Sequence, residues 1–196
     1  EWTIEQLKNA GICRVNVTTH YKKERIIEHF GNGEDFGVDI RYVAEDQPLG
    51  TAGALSLLER SQEPLLVING DILTHVDFRA MHDFHREHAA DMTVAVRPHE
   101  YRIPYGVVET RGVEIVAIRE KPVIRHFISA GIYLLSPSVH PYIPNGERYD
   151  MPELIETLIQ AGKRVVGFPI REYWIDIGRI DDYEQANEDM ERRKGR

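Results

Sequence analysis

Two aspartates, Asp71 and Asp176, each follow a short apolar segment and stand close to a glycine. Asp71 comes after Leu65–Ile68 within an Asn-Gly-Asp sequence, and Asp176 lies within Tyr-Trp-Ile-Asp-Ile-Gly. Carboxylates that follow separate strands can converge over one crevice, where they suit Mg²⁺, an ion that prefers oxygen ligands and keeps water and substrate phosphates in its shell. Either aspartate could instead cap a helix or form a turn. The pair predicts a magnesium site held by Asp71 and Asp176.

A glycine-containing turn lies in residues 45–54, Glu-Asp-Gln-Pro-Leu-Gly-Thr-Ala-Gly-Ala. The pattern predicts that a strand ends, that the chain turns at Gly50 and that a helix begins at Thr51. The N–H groups of a helix N-terminus bind anions and polar edges of ligands, so Gly50 and Thr51 are candidate ligand contacts. Because the Asn-Gly-Asp sequence follows at the end of the next predicted strand, the two motifs together favour a ligand crevice at that edge of the sheet.

A further candidate is the adjacent pair Glu120 and Lys121, which follows a predicted strand and precedes Pro122. A carboxylate can accept hydrogen bonds from two sugar hydroxyls, and a neighbouring lysine can bind a phosphate as a point charge. On an exposed surface, the same pair would be an ion pair of little energetic consequence. Taken alone it would be interpreted as that ion pair, so its interpretation depends on the other motifs.

Strands and helices alternate along most of the chain, which predicts a parallel sheet with helices on both faces. Apolar residues at helical spacing predict helices at residues 2–10, 22–30, 51–58, 78–88 and 151–161, and a charged helix is predicted from 181 to the end. Strand patterns cover residues 14–18, 38–44, 65–68, 91–96, 164–168 and 173–176. Three more strand-like runs, 106–109, 113–120 and 127–135, predict a small antiparallel insertion. We expect one α/β domain over residues 1–196.

The composition limits the classes of partner. With 24 basic and 32 acidic residues the formal charge is −8, which argues against a nucleic-acid partner. The apolar runs are too short to cross a membrane and no secretory leader pattern is visible, so we expect a cytoplasmic protein without a membrane partner. The single cysteine, Cys13, excludes a cysteine-built metal site, and we expect its thiol to be buried. We expect His82, His85 and His88 to lie on a solvated helix face.

Taken in order, the motifs resemble those of sugar-1-phosphate nucleotidyltransferases, with mannose-1-phosphate guanylyltransferases as the most similar branch. The matching segments are residues 48–54 (Pro-Leu-Gly-Thr-Ala-Gly-Ala), 69–71 (Asn-Gly-Asp), 105–107 (Tyr-Gly-Val), 120–122 (Glu-Lys-Pro), 130–133 (Ala-Gly-Ile-Tyr) and 174–178 (Trp-Ile-Asp-Ile-Gly). The resemblance spans nearly the whole chain. It implies a Rossmann-like three-layer α/β/α fold with a mostly parallel sheet.

The resemblance also implies an in-line displacement. The phosphate oxygen of a sugar 1-phosphate attacks the α-phosphorus of a nucleoside triphosphate, and pyrophosphate leaves. Asp71 and Asp176 would hold Mg²⁺, which offsets charge on the reacting phosphates, and with Lys121 they would form the catalytic set. Glu120 and the backbone of Gly106 would bind the sugar, and Lys121 would bind its phosphate.

For the nucleotide, the resemblance places Glu45 where the family has a side chain that contacts the base, beside Gly50 and Thr51. A carboxylate only accepts hydrogen bonds. Guanine offers two donors side by side, N1–H and N2–H₂, whereas uracil and thymine offer one N–H flanked by carbonyls. The carboxylate therefore favours GTP. Asp46 could replace Glu45 in this role, and backbone contacts near Gly50 could dominate recognition.

The sequence departs from the family pattern at two places. The family begins with a strand and a glycine-rich loop, Gly-Gly-x-Gly-x-Arg-Leu, followed by Pro-Lys-Pro, and these are not among the 196 residues. Because the loop binds the triphosphate, we expect weak or no turnover from this chain. Gly131 would lie close to the sugar, but Ser129 stands where an asparagine is common, which leaves the sugar open.

Two alternatives stay open at this point. One is the same fold acting with dTTP or UTP, and the other is a non-catalytic regulatory module that binds nucleotide or sugar phosphate. Members of the family often form homo-oligomers, and no pattern in this sequence specifies the number of copies.

Overall fold

The computed structural model describes residues 1–19, 23–178, 182–184 and 186–189 as a mixed α/β protein. The helices are α1 (Trp2–Asn9), α2 (Lys23–Phe30), α3 (Gly50–Gly53), α4 (Phe78–Glu87) and α5 (Met151–Gln160), and 3₁₀ turns cover Glu34–Phe36, Ala54–Leu57 and Pro137–Tyr142. The strands are β1 (Arg14–Thr19), β2 (Asp39–Ala44), β3 (Leu65–Ile68), β4 (Ile72–Thr74), β5 (Met92–Arg102), β6 (Val107–Arg111), β7 (Glu114–Arg119), β8 (Val123–Leu135), β9 (Val165–Pro169) and β10 (Trp174–Asp176). Residues 182–184 and 186–189 are helical. The rest of the helix predicted from 181 onward lies outside the described residues.

A four-stranded sheet forms the centre of the protein, in the order β3–β8–β5–β9. β8 is antiparallel to both β3 and β5, whereas β5 and β9 are parallel. β3, β5 and β9 therefore run in one direction, and β8 runs against them. This arrangement agrees with the predicted α/β class and its mostly parallel sheet.

The two faces of this sheet bury separate sets of apolar side chains, because consecutive residues of a strand point to opposite faces. Val94 of β5 packs in a cluster that includes Leu154 of α5. The next residue, Ala95, packs in a second cluster that includes Leu7 of α1 and Met81 of α4. Helices therefore cover both faces, which gives three layers. Full burial of one aliphatic side chain of this kind contributes about 1.5–3 kcal/mol.

β1 and β2 form a separate parallel pair, and a cavity of about 1300 Å³ lies between β1 and β3. Its walls include residues of both strands, of α1 and of the 3₁₀ turn Ala54–Leu57. α1 and this turn belong to clusters on opposite faces of the sheet. The cavity thus has a strand on either side and helical segments above and below it, which are the surroundings of one further strand in a three-layer fold. No described strand pairs with both β1 and β3.

The predicted antiparallel insertion holds for β6 and β7, which pair in a two-stranded sheet of their own. The third run of the predicted insertion is β8, and its assignment there is wrong for residues 130–135, which lie buried in the central sheet. The earlier half of β8 is exposed and extends beside the second half of β5, where Phe127 is 66% exposed. β8 therefore lies in the buried sheet with its second half and forms an exposed two-stranded ribbon with β5 in its first half.

Two short elements also differ from the prediction. β4 was not predicted, because three residues are too few to show a strand period. The helix predicted at residues 51–58 is α-helical only over Gly50–Gly53, continues as a 3₁₀ turn and becomes extended at Leu58. The boundaries of the other predicted elements agree with the structure to within a few residues, apart from the longer β5 and β8.

His82, His85 and His88 do not share one environment. His85 is buried, and its ring nitrogens hydrogen-bond with the hydroxyls of Thr93 (2.8 Å) and Ser136 (2.9 Å). The predicted solvated position is therefore wrong for His85, because this face of α4 packs on the sheet. The predicted burial of Cys13 is also wrong, since its thiol is exposed. Among the described residues, no helix is long and apolar enough to cross a membrane.

The environment of His85 predicts a pH-dependent stability. Burial, with the nearby His82, lowers the pKa of His85 below its ordinary value of 6.5. The unfolded chain then takes up this proton at a higher pH than the folded chain, so the free energy of unfolding falls as the pH drops from about 6.5 towards the lowered pKa. Denaturant unfolding at pH 7.5 and 5.5 measures this loss. His85→Gln should reduce it, whereas the exposed His99→Gln should leave it unchanged; equal pH dependence in both variants would contradict the assignment.

Candidate active site

Asp71 is placed by a tight turn at the end of β3. The Asn69 N–H donates to the carbonyl of Gly131 in β8 (2.9 Å), and the Ile72 N–H donates to the carbonyl of Asn69 (3.2 Å). The turn therefore remains attached to the central sheet while the chain reverses through Gly70. Asp71 lies at the exposed edge that this turn creates.

Asp176 reaches the same edge through β10. β10 pairs antiparallel with β4, with Asp176 opposite Ile72, and the Ile177 N–H donates to the carbonyl of Asp71 (2.8 Å). The backbone thus brings the two aspartates to neighbouring positions, as the sequence predicted. Both are exposed, and no other described side chain engages either carboxylate. Two accessible carboxylates fit Mg²⁺, which takes its other ligands from water and substrate phosphates.

Sequence reasoning missed Arg97, which helps to hold β10. Its Nη1 donates to the carbonyl of Trp174 (2.7 Å), and its guanidinium carbon lies 5.4 Å from the centroid of the Trp174 ring. The indole Nε1–H of Trp174 in turn donates to the carbonyl of Ala130 (2.7 Å). A cavity of about 420 Å³ beside these groups is lined by Arg97, Trp174, Ile175, Asp176, Gly178 and Asp182. No motif identified Arg97, because its partner is 77 residues away along the chain.

Gly131 lies directly behind the Asn-Gly-Asp turn. Its φ is +69°, and a Cβ at this position would lie 2.9 Å from Nδ2 of Asn69 and 3.1 Å from Cγ1 of Ile72. The positive φ favours glycine here, and a side chain at this position would displace the amide of Asn69. Ser129 hydrogen-bonds with the hydroxyl of Tyr133 (3.0 Å). The structure thus explains the glycine by packing, and a contact between Gly131 and a sugar stays a prediction.

Gly106, Glu120 and Lys121 come together at the base of the β6–β7 hairpin. A Cβ at Gly106 would lie 3.1 Å from Oε2 of Glu120, and Nζ of Lys121 lies 3.8 Å from Oε1 of Glu120. Both charged side chains are largely exposed, so their ion pair contributes little to stability. Lys121 has a φ of +43°, a left-handed conformation that is uncommon for lysine. Binding of a sugar by Glu120 and of its phosphate by Lys121 stays a prediction.

The turn in residues 45–54 is closed by its own side chains and by a distant segment. Oε2 of Glu45 accepts the Leu49 N–H (2.8 Å). Oδ1 of Asp150 accepts the Thr51 N–H (2.9 Å), and the carbonyl of Tyr149 accepts the N–H groups of residues 52 and 53 (3.0 and 2.9 Å). The N–H groups that we expected to be free for a ligand are therefore engaged at Thr51 and beyond. Contacts of Glu45, Gly50 and Thr51 with a nucleotide stay predictions.

The sequence profile of the nucleotidyl transferase family matches residues 1–193. The chain belongs to the nucleotidyl transferase family. Among its relatives, a D-glycero-alpha-D-manno-heptose 1-phosphate guanylyltransferase of Aneurinibacillus thermoaerophilus is 34% identical over 190 residues, which cover 94% of this chain and 81% of the relative. A mannose-1-phosphate guanyltransferase of Candida albicans is 32% identical and covers 92% of this chain. A UTP–glucose-1-phosphate uridylyltransferase of Synechocystis is 31% identical and covers 95%.

The nucleotidyl transferase chain spans about half the length of the last two relatives, 52% and 53% respectively. Among solved structures, HddC from Yersinia pseudotuberculosis complexed with GMP-PN superposes with a TM-score of 0.70 at 23% identity, covering 96% of this chain and 84% of HddC. This likeness shows the shared fold. The family and the fold that the sequence motifs predicted are thereby confirmed.

Proposed function

We propose that the protein joins a nucleoside triphosphate to a sugar 1-phosphate, forming a nucleotide sugar and pyrophosphate. The observation that carries the proposal is the position of Asp71, in the turn before β4, beside Asp176, at the end of the paired strand β10, in a member of the nucleotidyl transferase family. The relatives named above act on heptose, mannose and glucose 1-phosphates, which supports the substrate class.

In this reaction a phosphate oxygen of the sugar 1-phosphate forms a bond to the α-phosphorus, and the bond from the α-phosphorus to the β-phosphate oxygen breaks. Asp71 and Asp176 would hold Mg²⁺, and a bound Mg²⁺ supplies charge neutralisation for the phosphates. Glu120 and the backbone of Gly106 would hold the sugar, and Lys121 would hold its phosphate. The contribution of the protein is positioning and electrostatic stabilisation, as in other phosphoryl transfers.

An assay of Mg²⁺-dependent pyrophosphate release would test the proposal directly. The panel crosses GTP, dTTP, UTP, CTP and ATP with the 1-phosphates of mannose, glucose, heptose and N-acetylglucosamine. Release with at least one pair is expected, after the family's first strand and glycine-rich loop have been added ahead of Glu1. If the folded protein released no pyrophosphate with any pair of substrates, the result would instead favour a non-catalytic module that binds nucleotide or sugar phosphate.

We infer that GTP is the preferred nucleotide. The argument rests on the carboxylate of Glu45, which stands at the start of the turn and accepts the Leu49 N–H. Such a carboxylate can accept hydrogen bonds from guanine and is repelled by the carbonyls of uracil and thymine. The names of two relatives, both guanylyltransferases, are in line with GTP, and the uridylyltransferase relative keeps UTP as the alternative.

Glu45→Gln should lower the preference for GTP over UTP by about tenfold, measured as the ratio of kcat/KM values, because the amide can donate to a pyrimidine carbonyl. The glutamine oxygen can still accept the Leu49 N–H, so the turn should keep its shape. Glu63→Gln, a change at an exposed glutamate outside the turn, is the matched control. An unchanged ranking of the triphosphates in Glu45→Gln would show that Asp46 or the backbone near Gly50 reads the base.

The last part of the proposal concerns the domain, compartment, partners and oligomeric state of the protein. We infer that residues 1–196 act as one cytoplasmic nucleotidyltransferase domain whose partners are small molecules. Homo-oligomerisation stays a prediction, and light scattering of the purified protein measures it.

A further inference from the structure

The turn in residues 48–54 is hydrogen-bonded to a segment that lies about a hundred residues later in the chain. The Tyr149 N–H donates to the carbonyl of Leu49 (2.8 Å), and the Tyr149 carbonyl accepts two N–H groups of α3. The Met151 N–H donates to Oγ1 of Thr51 (2.8 Å). We call residues 146–151, which lead into α5, the clasp. Its contacts run along the whole of α3.

Asp150 makes the side-chain contacts of the clasp. Its Oδ1 accepts both the Thr51 N–H (2.9 Å) and the Thr51 hydroxyl (3.3 Å). Asp150 is also the N-cap of α5, and its own N–H donates to Oε2 of Glu153 (2.8 Å). One residue therefore stands at the N-terminus of two helices, α3 and α5. A carboxylate at a helix N-terminus is favourable because it accepts free N–H groups and complements the helix dipole.

The two glycines of the turn are explained by the clasp. Gly50 has a φ of +78°, and a Cβ there would lie 2.5 Å from Oδ1 of Asp150. A Cβ at Gly53 would lie 2.4 Å from the carbonyl oxygen of Glu147. Any side chain at either position would push the clasp away. The glycines thus allow close packing of the clasp, and the position of the clasp fixes the backbone of the turn.

We propose that Asp150 is a positioning residue for nucleotide binding, acting through Thr51 and the backbone of the turn. This inference rests on the proposed function and on the predicted contacts of the turn that holds Glu45, Gly50 and Thr51 with the nucleotide. Asp150 itself touches no substrate in this proposal. Because a hydrogen bond to a charged acceptor stabilises one conformation by about tenfold or more, loss of Asp150 should raise the KM for the triphosphate about tenfold, with little change in the KM for the sugar 1-phosphate.

The experiment compares three variants of the full chain, carrying the added strand and loop where turnover is measured. Asp150→Ala removes the contacts to Thr51, whereas Asp150→Asn keeps an oxygen that can accept from Thr51 and cap α5. Asp77→Ala is the matched control, since Asp77 caps α4 by accepting the N–H groups of Arg79 and Ala80. We expect a raised triphosphate KM in Asp150→Ala alone, with most of the affinity restored in Asp150→Asn. A merely structural role would give Asp77→Ala and Asp150→Ala the same kinetics at equal loss of stability, and that result would overturn the proposal.

Hydrogen–deuterium exchange separates this inference from the proposed reaction, because it needs no turnover. The amides of Thr51, Ala52 and Gly53 should exchange faster in Asp150→Ala and stay protected in Asp77→Ala. Protected amides in Asp150→Ala would refute the positioning role whatever the enzyme does. Faster exchange together with no transferase activity in any variant would instead support the clasp and count against the proposed function.

Discussion

Replacing either Asp71 or Asp176 by asparagine, in the chain that carries the added strand and loop, is expected to lower kcat for pyrophosphate release by about a thousandfold. Each change removes one negative charge from the pair that would hold Mg²⁺. A metal that neutralises phosphate charge is worth several kcal/mol in the transition state, and about 4 kcal/mol corresponds to a factor of a thousand in rate. If both carboxylates hold the same Mg²⁺, the double variant should lose little more than either single variant.

The same variants should fold normally. Both carboxylates are exposed and unengaged by other described side chains, so their neutral replacements remove no stabilising contact. Mg²⁺ with a nucleoside triphosphate should raise the melting temperature of the unsubstituted chain by mass action, and it should raise that of Asp71→Asn and Asp176→Asn much less. Asp39→Asn, at an exposed aspartate of β2, is the control. Near-normal kcat in Asp71→Asn or Asp176→Asn would remove that residue from the metal site.

The neighbouring positions of Asp71 and Asp176 could be predicted from the sequence, because each follows an apolar run and ligand crevices form at the carboxyl ends of strands. The family motifs pointed to the same residues. The pairing that brings them together could not be predicted in the same way, since β4 and β10 have three residues each. So short a segment has no measurable period, and its partner is decided by the rest of the fold.

Arg97 and Asp150 were missed for a related reason. Each contacts a segment far away along the chain: Arg97 and Trp174 are 77 positions apart, and Thr51 and Asp150 are 99 positions apart. Local patterns describe caps and turns within a few residues, and they carry no information about which distant backbone a side chain will meet. The same limit explains His85, which looked like part of a polar helix face and is buried because α4 lies on the sheet.

The cavity between β1 and β3 leads to the second prediction, which concerns stability and activity when a strand is added. A segment with an aliphatic strand of five or six residues and a glycine-rich loop, fused ahead of Glu1, should stabilise the protein and raise its activity. Glu1 itself lines the cavity, and so do residues of both flanking strands. Burial of about five aliphatic side chains at about 1.5–3 kcal/mol each exceeds a backbone cost of about 1–2 kcal/mol per residue, so a gain of a few kcal/mol is expected. The loop N–H groups would meet the triphosphate, and we expect at least a hundredfold higher kcat.

A second fusion has the same loop but carries aspartate at every second strand position. It separates the contribution of the strand from that of the loop. Its charged residues could not enter walls formed by side chains such as Leu7, Leu55 and Leu66, so it should give neither stability nor activity. Hydrogen–deuterium exchange should show new protection in both β1 and β3 only with the aliphatic segment, because a strand between them pairs with both edges. Protection of one strand alone would place the added segment at an edge, and the cavity would then need another explanation. Protection of both strands without turnover would show that the sheet is completed and that the loop is not sufficient for transfer.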